Sequence, residues 1–316
     1  MSRAPRGHLT YKDRSVLLKY HRLLSGAHAH PPNSIAALHR VVSDGAEVIE
    51  FDISLTGDKE FVLLHDATLE RETTGLGSLR SITRKRFKAL RLRGSEEPPA
   101  TLAEVVAVLA DVHRPLKVQV DLKEQEPMSG TGAAALLKAL APIRRNEHLR
   151  IVVGCLADWN LRTLRRLDPT LEVGIDFAFY LDAPVDELVR LPLRVNAYGY
   201  LDDHPLGYRR LLPPAAYLRD RLESLLDLVE GASEFYLRKE FVLQALRDGI
   251  NPVQVVHERK PGALVDVWTL YPDQPDIGDV LSTVLDAGAD QITSSSPARL
   301  IDVLEQQRSN RSAPAR

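Results

Sequence analysis

Short apolar runs alternate with amphipathic stretches over most of the chain. Runs rich in Val, Ile and Leu predict buried strands, and stretches such as SIAALHRVVSDG and DIGDVLSTVLDAGAD have the spacing of helices with one apolar side. Possible N-caps at Asn33 and Ser34, and glycines at Gly45 and Gly288, indicate where helices begin and end. We predict strands at Leu23–His28, Glu47–Ile53, Phe61–His65, Leu116–Leu122, Arg150–Cys155, Leu171–Ile175, Leu264–Leu270 and Gln291–Thr293.

Strands that alternate with helices over the whole length predict an α/β fold, with a parallel sheet and helical crossovers. About eight strand–helix units favour a TIM (β/α)8 barrel, and the pattern is also compatible with a doubly wound open sheet. The chain has 316 residues and no evident linker or internal repeat, so we expect residues 1–316 to form one domain.

Residues 196–240 fit this alternation poorly, because they are rich in Tyr, Pro and Arg and are longer than one loop. Two interpretations are open. The stretch forms one or two extra helices that cover one end of the barrel, or it contains a strand and a helix that the pattern does not resolve. The last residues, about 306–316 (QQRSNRSAPAR), predict a disordered tail.

The charges of the whole chain nearly balance, with 41 Lys and Arg against 43 Asp and Glu and a formal net charge of -2. This balance indicates neither nucleic acid nor an anionic membrane as a general partner. The single cysteine, Cys155, excludes an internal disulfide and is typical of a reducing compartment. No continuous apolar segment predicts a signal peptide or a transmembrane helix, so we expect a soluble, cytoplasmic protein whose oligomeric state is open.

Two carboxylates interrupt the apolar run Val48–Ile53, which reads VIEFDI. Because side chains alternate along a strand, Glu50 and Asp52 share one face while the apolar residues share the other. Like charges a few ångströms apart and partly out of water repel each other, and their desolvation costs free energy. A bound cation, a basic side chain or a retained proton must therefore compensate them.

Other polar groups lie at the ends of the neighbouring predicted strands, namely His28, His30, His65, Asp121 and Lys123. In a barrel of this kind the reactive groups lie at the carboxyl ends of the strands. Each group alone has a structural explanation, since a lone His after a strand is often a hydrogen-bonded loop residue and Asp121 with Lys123 could form an ion pair. Their coincidence at one rim favours a functional site.

The acidic residues Glu50, Asp52 and Asp121 suit a hard divalent cation, Mg²⁺ or Ca²⁺, because both ions prefer oxygen ligands. Zn²⁺ is less favoured, although His28 and His30 leave it open. A cation with a lysine and two imidazoles is a set of groups for phosphoryl chemistry. The positive charges neutralise the non-bridging oxygens, one imidazole accepts a proton and the other donates one to the leaving oxygen.

At these residues the sequence resembles the glycerophosphodiester phosphodiesterase family, which is built on a TIM barrel of the PLC-like phosphodiesterase type. The family's Glu-x-Asp signature is present in IEFDISLTGD, and its His-Asp segment in LLHDATLERETTGLGSL. Weaker similarities are PPATLAEVV, VDVWTLYP and DAGADQITSSSP, so the resemblance runs from about residue 23 to about residue 304.

The resemblance implies that Glu50 and Asp52 are metal ligands and that His65 is one of two catalytic histidines. Asp121 stands where the family usually has a glutamate as third ligand, and Lys123 matches a lysine that binds the substrate phosphate. The Asp-Leu-Lys order also resembles the related sphingomyelinase D-type phospholipases, which leaves the substrate open between soluble diesters and lipids.

The first strand departs most from the family pattern of His-Arg-Gly followed by Pro-Glu-Asn-Thr. By this resemblance His28 takes the place of the other catalytic histidine, Ala29 replaces a phosphate-binding arginine, and Pro32 replaces the glutamate. His30 would donate to the phosphate or cap the shortened loop. In the closing segment Ser295 stands where an aspartate is usual.

The sequence therefore predicts a metal-dependent phosphodiesterase that hydrolyses glycerophosphodiesters, or similar head-group diesters of lipid metabolism, to an alcohol and a phosphomonoester. His28 and His65 would transfer protons in an order that the sequence leaves open, and Trp268 would pack on an apolar part of the substrate or serve packing only. Arg71 would order its loop. The alternatives are an enzyme like sphingomyelinase D that forms a cyclic phosphate from lysophospholipids, and a barrel that binds a phosphorylated ligand without turnover.

Overall fold

Eight parallel strands close into a barrel in the computed structural model. The structure describes residues 7–26, 30–181 and 213–312, and of residues 309–312 it describes only the backbone. In chain order the strands are β1 (His8–Tyr11), β2 (Arg14–Tyr20), β3 (Val48–Leu55), β4 (Phe61–Val62), β5 (Leu116–Leu122), β6 (Leu149–Cys155), β7 (Glu172–Asp176), β8 (Glu234–Arg238), β9 (Leu264–Trp268) and β10 (Gln291–Ser294). The barrel follows the order β2-β3-β5-β6-β7-β8-β9-β10, and β10 pairs with β2. Outside the barrel, β1 pairs antiparallel with β2, and β4 pairs antiparallel with β3. The predicted TIM barrel is confirmed.

Helices surround the barrel, and local sequence explains where several of them begin and end. The described helices are α1 (Ile35–Ser43), α2 (Arg84–Lys88), α3 (Leu102–Ala110), α4 (Gly130–Arg144), α5 (Asp158–Leu167), α6 (Pro214–Leu226), α7 (Lys239–Arg247), α8 (Pro252–Arg259), α9 (Ile277–Ala287) and α10 (Pro297–Ser312). The Ser34 hydroxyl accepts a hydrogen bond from the Ala37 N–H at 3.0 Å and starts α1, as predicted. Gly288 ends α9 with a φ of 106°, where a glycine avoids the steric cost of a side chain.

Six of the eight predicted strands match barrel strands, and Leu116–Leu122 matches β5 at both ends. The other two are wrong as barrel strands. In the predicted strand Leu23–His28, the described residues 23–26 are not a strand, and a short 3-10 turn spans His21–Leu23. Only Phe61–Val62 of Phe61–His65 is a strand, and it lies outside the barrel. The barrel instead uses two strands that the sequence did not reveal, β2 and β8.

The barrel interior is polar, which explains why β2 escaped the hydrophobic pattern. Lys19 of β2 is 2% exposed, and its Nζ lies 3.0 Å from Asp266 Oδ2 on β9. Lys19 also donates to Gln119 of β5, and Asp266 accepts a hydrogen bond from Thr293 Oγ1 at 2.8 Å. A charged residue in the middle of a strand is therefore stabilised by partners that are distant in the sequence.

A second buried pair gives a testable prediction. Lys117 Nζ donates to Glu234 Oε1 at 2.7 Å, and both side chains are less than a tenth exposed. Replacing Lys117 with Met leaves the Glu234 charge buried without its cation, so we expect Lys117→Met to lower the free energy of unfolding by about 3–5 kcal/mol. Urea unfolding measures this change.

The matched control is Lys12→Met, since Lys12 pairs with Asp286 at 2.6 Å but is 71% exposed. Exposed pairs contribute about 1 kcal/mol or less, so this variant should stay within that range. Equal losses in the two variants would show that the buried pair has no special role in stability.

Residues 66–98, which we call the carboxyl-end extension, connect the β3–β4 hairpin to α3. The extension packs on its own apolar cluster, separate from the main core, made of Val62, Leu64, Leu69, Leu79 and Phe87. Backbone bridges between Thr68 and Ser78 and between Thr73 and Leu92 close its loops. The extension therefore has a defined structure of its own beside the barrel mouth.

The described part of residues 196–240 contains α6, β8 and the first residues of α7, so this part is a strand and a helix of the barrel rather than an added cover. Residues 182–212 lie outside the described part. The backbone of α10 continues to Ser312, into the tail that the sequence predicted to be disordered from about residue 306. No helix among the described residues is long and apolar enough to cross a membrane. That residues 1–316 form one domain stays a prediction.

Candidate active site

A cavity of about 810 Å³ opens at the carboxyl end of the barrel. Most of its lining side chains are polar or charged, and residues from β2, β3, β5, β8, β9 and β10 or from the loops after them contribute to it. This is the end of a TIM barrel where substrates bind. The cavity therefore places the polar strand ends together, as the sequence indicated.

Three carboxylates lie together at one side of the cavity. Glu50, Asp52 and Asp121 each offer an oxygen within 4.8 Å of the others. They meet because β3 and β5 pair in parallel with Asp52 opposite Asp121, while Glu50 and Asp52 alternate on one face of β3. The predicted cluster therefore exists in the described structure.

Asp52 is fully buried and is held on several sides. Its Oδ2 accepts a hydrogen bond from Asn33 Nδ2 at 2.9 Å and lies 3.3 Å from Arg22 Nε, while its Oδ1 lies 3.0 Å from Lys123 Nζ. Asn33 also accepts from the backbone N–H of Asp52 at 3.1 Å. Burial alone would raise the pKa of Asp52, but Lys123, His65 and Arg22 together hold it well below its usual range.

Glu50 is compensated less completely. Its Oε2 accepts the backbone N–H of Arg22 at 2.7 Å, but its buried Oε1 has no hydrogen-bond partner in the described part of the chain. Burial, and then repulsion from Asp52 and Asp121, raises the pKa of Glu50 well above its usual value. An orphaned buried oxygen beside two other carboxylates fits a divalent cation, which would relieve this repulsion.

Lys123 bridges two of the three acids. Its Nζ donates to Asp121 Oδ2 at 2.6 Å and lies 3.0 Å from Asp52 Oδ1. Burial opposes the charge, yet Asp121, Asp52 and Glu50 raise the pKa of Lys123, so the ammonium stays protonated. Lys123 and Arg22 carry two positive charges against three carboxylates, which leaves negative charge available to a metal ion.

His65 also lines the cavity and is oriented by its loop. Its Nδ1 lies 2.7 Å from Asp66 Oδ1, and Arg71 contacts both Asp66 and, at 3.1 Å, His65 Nδ1. The buried Glu72 accepts the backbone N–H groups of His65 and Asp66, both at 3.2 Å. Burial and the charge of Lys123 lower the pKa of His65 to about 4, so its imidazole is neutral at neutral pH. Arg71 orders this loop, as the sequence suggested.

The first barrel strand brings a different histidine to the site from the one predicted. Because β2 ends at Tyr20, the residues that follow it are His21 and Arg22, and both line the cavity. His21 Nδ1 lies 3.2 Å from the hydroxyl of Ser295, the residue that replaces the family's usual aspartate. Burial and the neighbouring Arg22 hold the pKa of His21 well below its ordinary value.

His21 and Arg22 are therefore a second candidate for the family's His-Arg pair, which the sequence analysis placed at residues 28 and 29. Arg22 contacts Asp52 and would supply the charge that was inferred to be lost at Ala29. The available signal was the pair His21-Arg22, which was passed over because the strand was placed too late in the chain. His28 itself lies outside the described residues.

The remaining predicted site residues divide into two groups. Trp268 lines the cavity, and the Arg238 guanidinium lies 5.3 Å from the centroid of its ring. His30 is half-buried and is not among the residues that line the cavity. Sequence reasoning missed Asn33 as a site residue, because it was interpreted only as a helix cap.

The model of the Glycerophosphoryl diester phosphodiesterase family matches residues 21–298 of this chain. The chain belongs to this family. The match begins at His21, the residue directly after β2. Membership confirms the predicted enzyme class, a phosphoric diester hydrolase of the glycerophosphodiester phosphodiesterase type. The added resemblance to sphingomyelinase D-type phospholipases stays a prediction.

Individual members of the family resemble the chain over most of its length. A glycerophosphodiester phosphodiesterase of Caldanaerobacter subterraneus subsp. tengcongensis is 25% identical over 282 residues, which cover 87% of this chain and 92% of the relative. The structure of an Oleispira antarctica phosphodiesterase in complex with the product sn-glycerol-3-phosphate has a TM-score of 0.61 at 19% identity. The similarity covers 91% of this chain and 96% of that one. The structure of a glycerophosphodiester phosphodiesterase from Parabacteroides distasonis has a TM-score of 0.60 at 19% identity, and the similarity covers 92% of this chain and 97% of that one. At these identities the solved structures support the fold alone.

Proposed function

We propose that the protein hydrolyses glycerophosphodiesters to an alcohol and a phosphomonoester, with Mg²⁺ or Ca²⁺ in the site. The observation that supports this most is the orphaned, buried Oε1 of Glu50 within a group of three carboxylates at the cavity wall. Around this group lie a lysine, an arginine and two imidazoles, which are the side chains that phosphodiester cleavage needs.

Glu50, Asp52 and Asp121 would hold the cation in this proposal. When bound, it supplies positive charge to a non-bridging phosphate oxygen. Lys123 and Arg22 add fixed positive charge beside the same position, and their contacts to Asp52 keep both side chains at the cavity wall. The substrate phosphate would therefore be drawn to this wall rather than to the centre of the cavity.

His21 and His65 would transfer the protons, one as general base and one as general acid. Both imidazoles are neutral at neutral pH before substrate binds, so the general base can accept a proton from the nucleophile directly. The general acid would first take up a proton on Nε2, which the negative charge of the bound phosphate favours, and would then give it to the leaving oxygen. Ser295 and Asp66 each contact the Nδ1 atom of one imidazole, which leaves the two Nε2 atoms to face the substrate. Trp268 would pack against an apolar part of the substrate.

The other two candidate functions have less support. A barrel without turnover was suggested by the absent arginine, and Arg22 beside Asp52 would take the place of that arginine. Cleavage by a substrate hydroxyl to give a cyclic phosphate, as in sphingomyelinase D-type enzymes, rests on the order Asp121-Leu122-Lys123 alone. Phosphorus NMR of the products separates a cyclic phosphate from a phosphomonoester.

The testing experiment measures hydrolysis of bis-p-nitrophenyl phosphate, glycerophosphocholine and lysophosphatidylcholine, each with Mg²⁺, with Ca²⁺ and with EDTA. We expect turnover that requires the cation, disappears in EDTA and returns when the cation is added back. Metal binding is measured separately by calorimetry. A folded protein that binds the cation but cleaves none of the diesters would contradict the proposal and favour the ligand-binding barrel.

A further inference from the structure

The near-neutral charge of the whole chain conceals one strongly basic stretch. Residues 79–94 read LRSITRKRFKALRLRG and contain seven basic side chains and no acidic one. We call residues 80–93 the basic segment. It lies in the carboxyl-end extension and includes α2.

Most of this positive charge is not neutralised within the molecule. Arg80 contacts Glu124, and Lys88 Nζ lies 2.8 Å from Glu104 Oε1. The other five side chains are exposed, and none forms an ion pair within 4.0 Å among the described residues. These five are Arg84, Lys85, Arg86, Arg91 and Arg93.

The extension holds the basic segment at the mouth of the cavity. Leu79 and Arg80 themselves line the cavity. The backbone N–H of Arg84 donates to Asp58 in the β3–β4 turn, and Lys88 Nζ donates to the carbonyl oxygen of Pro99 just before α3, so both ends of α2 are tied to the carboxyl end of the barrel. Phe87 is fully buried in the extension's own cluster, which leaves the charged face of α2 outside.

Apolar groups are exposed at the same end of the barrel. Leu76 is 78% exposed between Gly75 and Gly77 at a tip of the extension, and Tyr271, which lines the cavity, is 47% exposed. The third large exposed apolar residue of the described part, Leu167, ends α5 and therefore lies at the opposite end. Exposed apolar tips beside clustered cations are the combination that peripheral membrane proteins use.

We propose that the basic segment and the Leu76 tip dock the protein on an anionic lipid surface. Each Lys or Arg next to an anionic leaflet strengthens binding about fivefold, and insertion of a single apolar side chain strengthens it by on the order of tenfold. Docking in this orientation places the cavity mouth against the headgroups. Nucleic acid is a weaker match because the aromatic residue of the segment, Phe87, is buried and offers no stacking surface.

Vesicle sedimentation tests the proposal with phosphatidylcholine vesicles, with and without phosphatidylglycerol. The parent should bind only the anionic vesicles, and binding should weaken when salt rises from about 0.1 M to about 0.5 M, because salt screens the attraction. The triple variant Arg84→Gln/Lys85→Gln/Arg86→Gln should bind on the order of 100-fold more weakly. The Leu76→Ser variant should bind more weakly by a smaller factor.

The control is Lys138→Gln/Arg145→Gln/Arg166→Gln, which removes two exposed cations from outer helices and a third directly after α4, and should bind like the parent. Circular dichroism and turnover of a soluble diester show that the variants are folded, and docking can be scored even if no diester is cleaved. Absence of parent binding to anionic vesicles, or an equal loss in the control triple, would overturn the proposal. Tighter binding to duplex DNA than to vesicles, lost in the same basic-segment variant, would also overturn it and indicate nucleic acid.

Discussion

Asp52→Asn is expected to reduce kcat/KM for a cleavable diester by at least about 1,000-fold, or about 4 kcal/mol of transition-state stabilisation. Asp52 is the most enclosed of the three carboxylates, with contacts to Asn33, Arg22 and Lys123. Asparagine keeps the shape of the side chain but removes the negative charge that a cation and these basic groups require. Initial rates with Mg²⁺ or Ca²⁺ measure the loss.

A second readout separates loss of the metal site from loss of the fold. Calorimetric titration should show that Asp52→Asn weakens cation binding by about 100-fold or more, while the circular dichroism spectrum stays that of the parent. The control is Glu60→Gln, which removes one carboxylate from the exposed β3–β4 turn and should keep parent activity and metal binding. Unchanged metal binding in Asp52→Asn would place the cation elsewhere and contradict the assigned ligand set.

His21→Gln and His28→Gln are expected to behave very differently. A positioned acid or base contributes about 100- to 10,000-fold, so His21→Gln should lose activity in that range, as His65→Gln should. The reason is that His21 follows the first barrel strand, lines the cavity and contacts Ser295 through Nδ1. We expect His28→Gln to keep activity within about threefold of the parent. Steady-state kinetics on the same diester compares all three variants.

This comparison decides between His28, which the sequence analysis assigned, and His21, which we propose from the structure. A loss in His28→Gln as large as in His65→Gln, with His21→Gln unaffected, would restore the original assignment. His21 lies close enough to Asp52 to influence its charge but is not one of the proposed metal ligands. Calorimetric cation binding by His21→Gln should therefore remain close to that of the parent. A large loss of cation binding in that variant would show a structural role for His21 rather than proton transfer.

The acidic cluster could be predicted from the sequence because its geometry is local and periodic. Alternation along β3 places Glu50 and Asp52 on one face, and the run LKVQVDLK places Asp121 at the same level of the next barrel strand. Parallel strands end together, so their polar termini had to meet at one rim. The barrel followed for the same reason, since six of its eight strands have a clear apolar pattern.

The first strand could not be predicted in this way, because its polar residue is compensated far along the chain. Lys19 made Arg14–Tyr20 look unsuitable for a buried strand, yet the side chain is buried against Asp266 and Gln119. Placing the strand too late led to the prediction of His28 and left His21 unconsidered. An apolar pattern records burial of each residue alone and carries no information on buried ion pairs.

The sequence was thus sufficient for the fold class, the three carboxylates and the phosphodiesterase family, since each depends on residue type and on spacing within one or two elements. The fold was needed for the partners of those residues. His21 meets Ser295 across 274 positions, and the cations of the basic segment lie beside the cavity mouth because the extension folds onto the barrel end. Long-range pairing of this kind is a property of barrel closure, in which the last strand pairs with the first.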